Sequence, residues 1–151
     1  MSSETNRRRI RSGLRDVGLQ LSLLNRQVSA RVEMKDVDLD CLDLIKTHGP
    51  LSPGALARRA GLHPATMTGV LDRLEKGGWI SRERNPSDRR AVQITALSGR
   101  DGELLRHFAG MGASVERICS AYDPAELEVI AGFLERIADA GRTSTAELSG
   151  S

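Results

Sequence analysis

Residues 84–96 read "RNPSDRRAVQITA". Asn85-Pro86 is a turn dipeptide, Asp88-Arg89-Arg90 follows it, and Val92 and Ile94 then alternate with their neighbours as a short half-buried strand does. "WISRER", residues 79–84, supplies an opposing strand with Ile80 on its inner side. The two strands, joined by a loop from Asn85 to Arg89, form a hairpin with a basic tip. Standing alone, such a tip is a solubilising turn. The residues before it give it another meaning.

"LSPGALARRAGLHPATMTGVLDRLEKGGWI", residues 51–80, reads as two tightly joined helices. Ser52 caps the first and Pro53 opens it; Leu56 and Ala60 face inward, and Gly61 ends it. Leu62 plugs the turn, His63 caps the second helix, and Pro64 takes its first position. Met67, Val70, Leu71 and Leu74 make the core stripe of that second helix until Gly77-Gly78 stops it. An earlier helix from about Val37 to Thr47 turns Leu39, Leu42 and Ile45 inward and closes at Gly49-Pro50. Two helices around a glycine turn, followed at once by a hairpin with a basic tip, make a winged helix-turn-helix. With the second helix in the major groove, the tip would reach the flanking minor groove, whose negative potential attracts arginine.

The chain ends have a different pattern. Ile10, Leu14, Val17, Leu21, Leu24 and Val28 recur at spacings of four and three on one long helix ending near Glu33. Leu104, Phe108, Met111, Val115, Ile118 and Tyr122 repeat that spacing. A last helix is announced by Asp123, Pro124 and Glu126 as a capping box and carries Leu127, Ile130, Leu134 and Ile137 on one face. Such seams beside a self-contained middle predict pairing with a second copy of the chain. The expected organisation is a basic arm and dimerisation helix over 1–35, a winged unit over 36–97, dimerisation helices over 98–141 and a flexible tail over 142–151.

With 151 residues, 39% hydrophobic and 28% charged, the composition is that of a soluble globular chain, with no apolar run of membrane-spanning length and no secretory signal. A cytoplasmic location is expected. The net charge of +2 is too small to name a partner, yet its distribution is uneven. Arg7, Arg8, Arg9, Arg11 and Arg15 cluster near the start, Arg82, Arg84, Arg89 and Arg90 surround the hairpin, and acids outnumber bases from residue 101 onward. Concentrated basic segments are the footprint of nucleic-acid binding.

By this point the chain resembles the MarR family of winged-helix transcriptional regulators over roughly residues 10 to 140. The resemblance is carried above all by "LDRLEKGGWISRERNPSDRRAVQIT", where helix end, Gly-Trp turn, strand, D-x-R wing and second strand come in family order. It implies a homodimer built from the terminal helices, a recognition helix in the major groove of double-stranded DNA, and a wing arginine in the minor groove. Arg90 matches the inserted arginine and Asp88 the residue that orients it. It also implies regulation, usually repression relieved by a small ligand. A small apolar or aromatic effector is the expected partner, in a crevice between the dimerising helices and the winged unit that apolar side chains would line. One departure concerns the connection after the wing: many members have "LTxxG", whereas "ITALSG" places the glycine one residue late.

Ala65, Thr66 and Thr68 lie away from the core stripe of the second helix and are the candidates for base edges, since small residues allow close approach and methyl groups can meet thymine. Arg73, two turns in, is expected to reach a guanine or a phosphate; its alternative is a pair with Asp72 or Glu75, positions that do not face it on a helix. Ser52 and Thr66 lie at helix N-termini, which favour phosphate, and His63 is a cap near DNA. Arg84 and Arg89 complete the DNA-contacting set. Cys41 reads as packing beside Leu42 and Leu44, although it or Cys119 could sense oxidants as in some relatives; no basic neighbour argues for a lowered thiol pKa. The histidines have no metal-ligand spacing, and no catalytic or cofactor motif is present, so neither an enzyme nor a cofactor is expected. The competing reading is a winged-helix module for protein docking, with its arginines as surface charge.

Overall fold

The computed structural model describes residues 1–85 and 87–150; Pro86, Ser151 and the side chains of Asn85, Asp88, Arg89 and Arg90 lie outside the described residues. Six helices and one two-stranded hairpin are seen among them: α1 (Ser3–Arg31), α2 (Asp36–His48), α3 (Pro53–Ala60), α4 (Pro64–Lys76), β1 (Ile80–Asn85), β2 (Asp88–Ala96), α5 (Asp101–Cys119) and α6 (Pro124–Ser149). The fold is mainly α with a hairpin wing, as the sequence patterning predicts.

Local chemistry accounts for the boundaries. Ser52 accepts from the Ala55 amide at 3.1 Å to start α3, and Pro53 fits the first position because its missing N–H would have no partner there. Gly61 ends α3 in the left-handed conformation, at φ 65°, which a side chain would resist. The capping box of α6 is complete: the Glu126 amide donates to Asp123 Oδ1 at 2.9 Å, and the Asp123 amide to Glu126 Oε1 at 3.0 Å.

One core joins the middle elements. Leu39, Leu42 and Ile45 of α2, Leu56 of α3, Met67, Val70, Leu71 and Leu74 of α4, and Ile80 and Ile94 of the hairpin are all buried. The antiparallel strands pair Ile80 with Ala96 and Arg84 with Val92. A further bridge joins Leu51 to Ile94, with amide-to-carbonyl distances of 3.1 and 2.6 Å, so the base of the wing is anchored to the chain entering α3. Val28 and Val32 bring the end of α1 into the same core, and Leu104 brings the start of α5.

Three expectations are corrected. The strands run further than "WISRER" and "AVQIT": Asn85 pairs with Asp88, so the connection is shorter than Asn85 to Arg89. The register then steps to Arg84–Val92, which leaves Arg89, Arg90 and Ala91 as a bulge in β2. Tyr122 falls beyond α5, because Asp123-Pro124 caps a new helix. The basic arm lies within α1, started by the Ser2 hydroxyl accepting from the Thr5 amide. Residues 142–149, expected as a flexible tail, continue α6: the stretch holds no proline, and Thr145 packs beside Gly61 of α3.

Candidate nucleic-acid interface

The exposed side of α4 carries the expected small residues. His63 caps the helix through Nδ1, which accepts from the Ala65 amide at 3.1 Å and leaves the proton of the neutral ring on Nε2. Ala65, Thr66 and Thr68 are exposed on the first turns. Thr68 Oγ1 donates to the Pro64 carbonyl at 3.2 Å, so this hydroxyl keeps only its acceptor capacity for a partner. Opposite them, Met67, Val70, Leu71 and Leu74 bind α4 to the core. The helix therefore presents a low, mildly polar surface on a rigid support.

Arg73, also exposed on α4, is held by an acid. Its Nε and Nη2 donate to Asp38 Oδ2 and Oδ1 at 2.8 and 2.9 Å, a two-pronged bond from α4 to α2. Asp38 is only 2% exposed, and a buried carboxylate needs such a partner. The hydrogen bonds it donates to Asp38 push the Arg73 pKa further up. Its partner is Asp38 and not Asp72 or Glu75, and the Arg73 side chain stays 41% exposed beside it. A cue existed in the sequence: Asp38 stands four and seven residues before Leu42 and Ile45, on the apolar stripe of α2, where an acid requires a counter-charge.

Arg82 takes the acids left by Arg73. From β1 it contacts Asp72 and lies 3.6 Å from Glu75. It is therefore tied to α4 instead of adding to the free basic surface, and it offsets two carboxylates that would repel phosphate. Arg84 is exposed on β1, and Ser52 holds the N-terminus of α3. Asp88, Arg89 and Arg90 are placed by their backbone on β2 at the bulge; their side chains lie outside the described residues.

The domain-level matches agree with this geometry. The MarR family model matches residues 35–92, from the start of α2 into β2. The HTH-type transcriptional regulator YcgE of Bacillus subtilis is 31% identical over 125 residues, covering 83% of this chain and 81% of that protein. The chain belongs to the MarR family. The repressor MdtR of Bacillus subtilis is 29% identical over 99 residues, 66% of this chain and 64% of MdtR. Two structures of mutant MepR from S. aureus share the fold at 14% and 16% identity, each covering 87% of this chain and 96% of MepR. The first, from a multidrug-resistant clinical isolate, superposes with a TM-score of 0.76; the second, bound to an oligodeoxyribonucleotide, superposes with 0.57. This MarR-family chain is a transcriptional regulator with a DNA-binding fold; its relatives are regulators and not enzymes.

The remaining candidates fall outside the reading face. Cys41 is fully buried, and burial, reinforced by Asp40 and Asp38, pushes its thiol up to about 12. That is opposite to what an oxidant-sensing thiolate needs. Cys119 is half-buried at the end of α5. Among the described residues no cluster of three or more His, Cys, Asp or Glu could hold a metal, and no helix is long and apolar enough to cross a membrane. A cavity of about 390 Å³ lies between the end of α1, α2 and the end of α4, lined by Met34, Asp38, Arg73, Trp79 and Arg100 among others.

Proposed function

We propose that this MarR-family regulator is a cytoplasmic repressor that binds a pseudo-palindromic operator as a homodimer, with residues 36–97 on the DNA and residues 1–35 and 98–141 forming the interface. The observation that carries the reading is a contrast in exposure. Among the described residues, every exposed large apolar side chain lies before residue 24 or after residue 96, while the exposed start of α4 carries Ala65, Thr66 and Thr68. The named activities of MdtR as a repressor and of MepR as an oligonucleotide-bound protein support the same reading.

In this reading Ala65, Thr66 and Thr68 meet base edges, while Ser52 and His63 meet phosphates at helix N-termini. Arg84 and Arg89 add phosphate contacts, and Arg90, oriented by Asp88, enters the minor groove. Arg73 holds α4 to α2 through Asp38. A small apolar or aromatic effector would relieve repression from the crevice between the terminal helices and the winged unit. The test is fluorescence anisotropy on an inverted repeat from the DNA upstream of the gene, with half-sites about one helical turn apart. Tight, salt-sensitive binding to the repeat and weak binding to one half-site are expected. Equal affinity for both would remove the dimer–operator reading, and absence of salt-sensitive duplex binding would move the protein-docking alternative ahead.

A further inference from the structure

Where the winged unit meets α5, one side chain ties together parts that are distant in sequence. Arg100 occupies the N-cap position of α5. Its guanidinium carbon sits 4.1 Å from the centroid of the Trp79 ring, and Nη1 donates to the Gly77 carbonyl at the end of α4 at 2.8 Å. Nε and Nη2 donate to the two carboxylate oxygens of Glu103, in the first turn of α5, at 2.6 and 2.9 Å. Trp79 itself is buried and rests on Gly77, where an added Cβ would come within 2.8 Å of the ring. The next residue, Asp101, binds Lys46 of α2 at 2.5 Å. Residues 100 and 101 thus fasten the first turn of α5 to the ends of α4 and α2.

Leverage makes this fastening consequential. The 19 residues of α5 span about 28 Å, so a tilt of about 10° at its first turn moves the far end by about 5 Å. The exposed apolar residues Met111, Val115 and Ile118 lie on that outer part. We propose that Arg100 is a positioning residue that sets the angle between the winged unit and α5, and through it the separation of the two recognition helices in the dimer. The inference rests on the dimer–operator reading above. It is a statement about coupling between two units, so it requires a measurement of coupling and not of stability alone.

The experiment uses the full chain and an operator selected from a random duplex pool. Anisotropy titrations are run on that duplex, on versions with the half-site spacing changed by one or two base pairs, and on an isolated half-site. Arg100→Met keeps an apolar stem over Trp79 but loses both hydrogen-bonding arms. It should lower affinity for the correctly spaced operator by about tenfold, leave half-site affinity within about twofold, and flatten the spacing preference. Arg100→Lys should fall between this variant and wild type, because it keeps the cation over the ring without the fork. Glu103→Gln should shift the profile in the same direction by less. If Arg100→Met fails to fold, Glu103→Gln carries the test, with the same readout. A wild-type spacing profile in the variant, or equal losses on half-site and full operator, would overturn the inference. If the wild-type protein itself shows no spacing preference, the dimer–operator reading falls first and takes this inference with it.

Discussion

The middle of the chain and its two ends use apolar residues differently. Between residues 36 and 96, Leu39, Leu42, Leu56, Met67 and Leu74 are buried against one another, and the outer surface of α4 is left to small residues. In α1 the seam starts exposed and ends buried: Ile10, Val17 and Leu21 stand 45, 54 and 40% exposed, and Val28 only 3%. In α5 it runs the other way, from buried Leu104 to Ile118 at 62%. In α6 the face from Ile130 to Ile137 is exposed along its length. A helix ordinarily turns such a face toward something. The middle reads as a finished unit, and the ends leave open the apolar faces that the proposed dimer would cover.

The harshest way to break this contrast is to place charge in the open seam. Val17→Asp with Leu21→Asp should shift the protein from dimer to monomer mass by size-exclusion chromatography with light scattering, because a carboxylate buried in such a seam costs several kcal/mol. A mutant that stays dimeric would place the interface elsewhere. In the middle, Leu42→Ala should lower unfolding stability by about 2–5 kcal/mol in denaturant titrations while the dimer mass persists.

A finer comparison separates two arginines, one bound to Asp38 and one on the wing. Arg73→Gln leaves Asp38 buried without its partner and should destabilise the fold by about 1–3 kcal/mol, with no change in the salt slope of DNA binding. Asp38→Asn added to it should recover part of the loss. Arg90→Ala should do the reverse: stability unchanged, operator binding weaker by about 1–3 kcal/mol, and the salt slope flatter by about one. Should Arg73→Gln flatten the slope instead, its guanidinium contacts phosphate after all. The smallest effect concerns Cys41. With its thiol pushed up to about 12, the thiolate is almost absent near neutrality, so a thiol reagent at mildly alkaline pH should leave it unmodified until the protein is unfolded. Mass spectrometry of labelled peptides would show rapid native labelling if that burial does not hold.

Much of the architecture was legible because it follows from short-range chemistry. Caps at Ser52, His63 and Asp123, the stop at Gly61 and the stripe from Met67 to Leu74 depend on neighbours within one or two turns, and the sequence displays all of those neighbours. The family resemblance rested on the same local order of helix, turn, strand and wing. The boundaries that moved did so for local reasons too: a second cap ended α5 before Tyr122, and pairing carried the strands to Asn85 and Asp88.

What the sequence determined by itself was therefore the order of elements, which faces are apolar and where basic residues gather. Tertiary structure decided which charges are free. Arg73, Arg82 and Arg100 look alike along the chain, yet the first is held by Asp38 thirty-five residues earlier, the second by Asp72 and Glu75, and the third by Gly77, Trp79 and Glu103. A guanidinium sits on a long stem that can satisfy its donors over several ångströms, so its partner depends on which helices pack together. Periodicity reports a face. Only packing reports what lies against it.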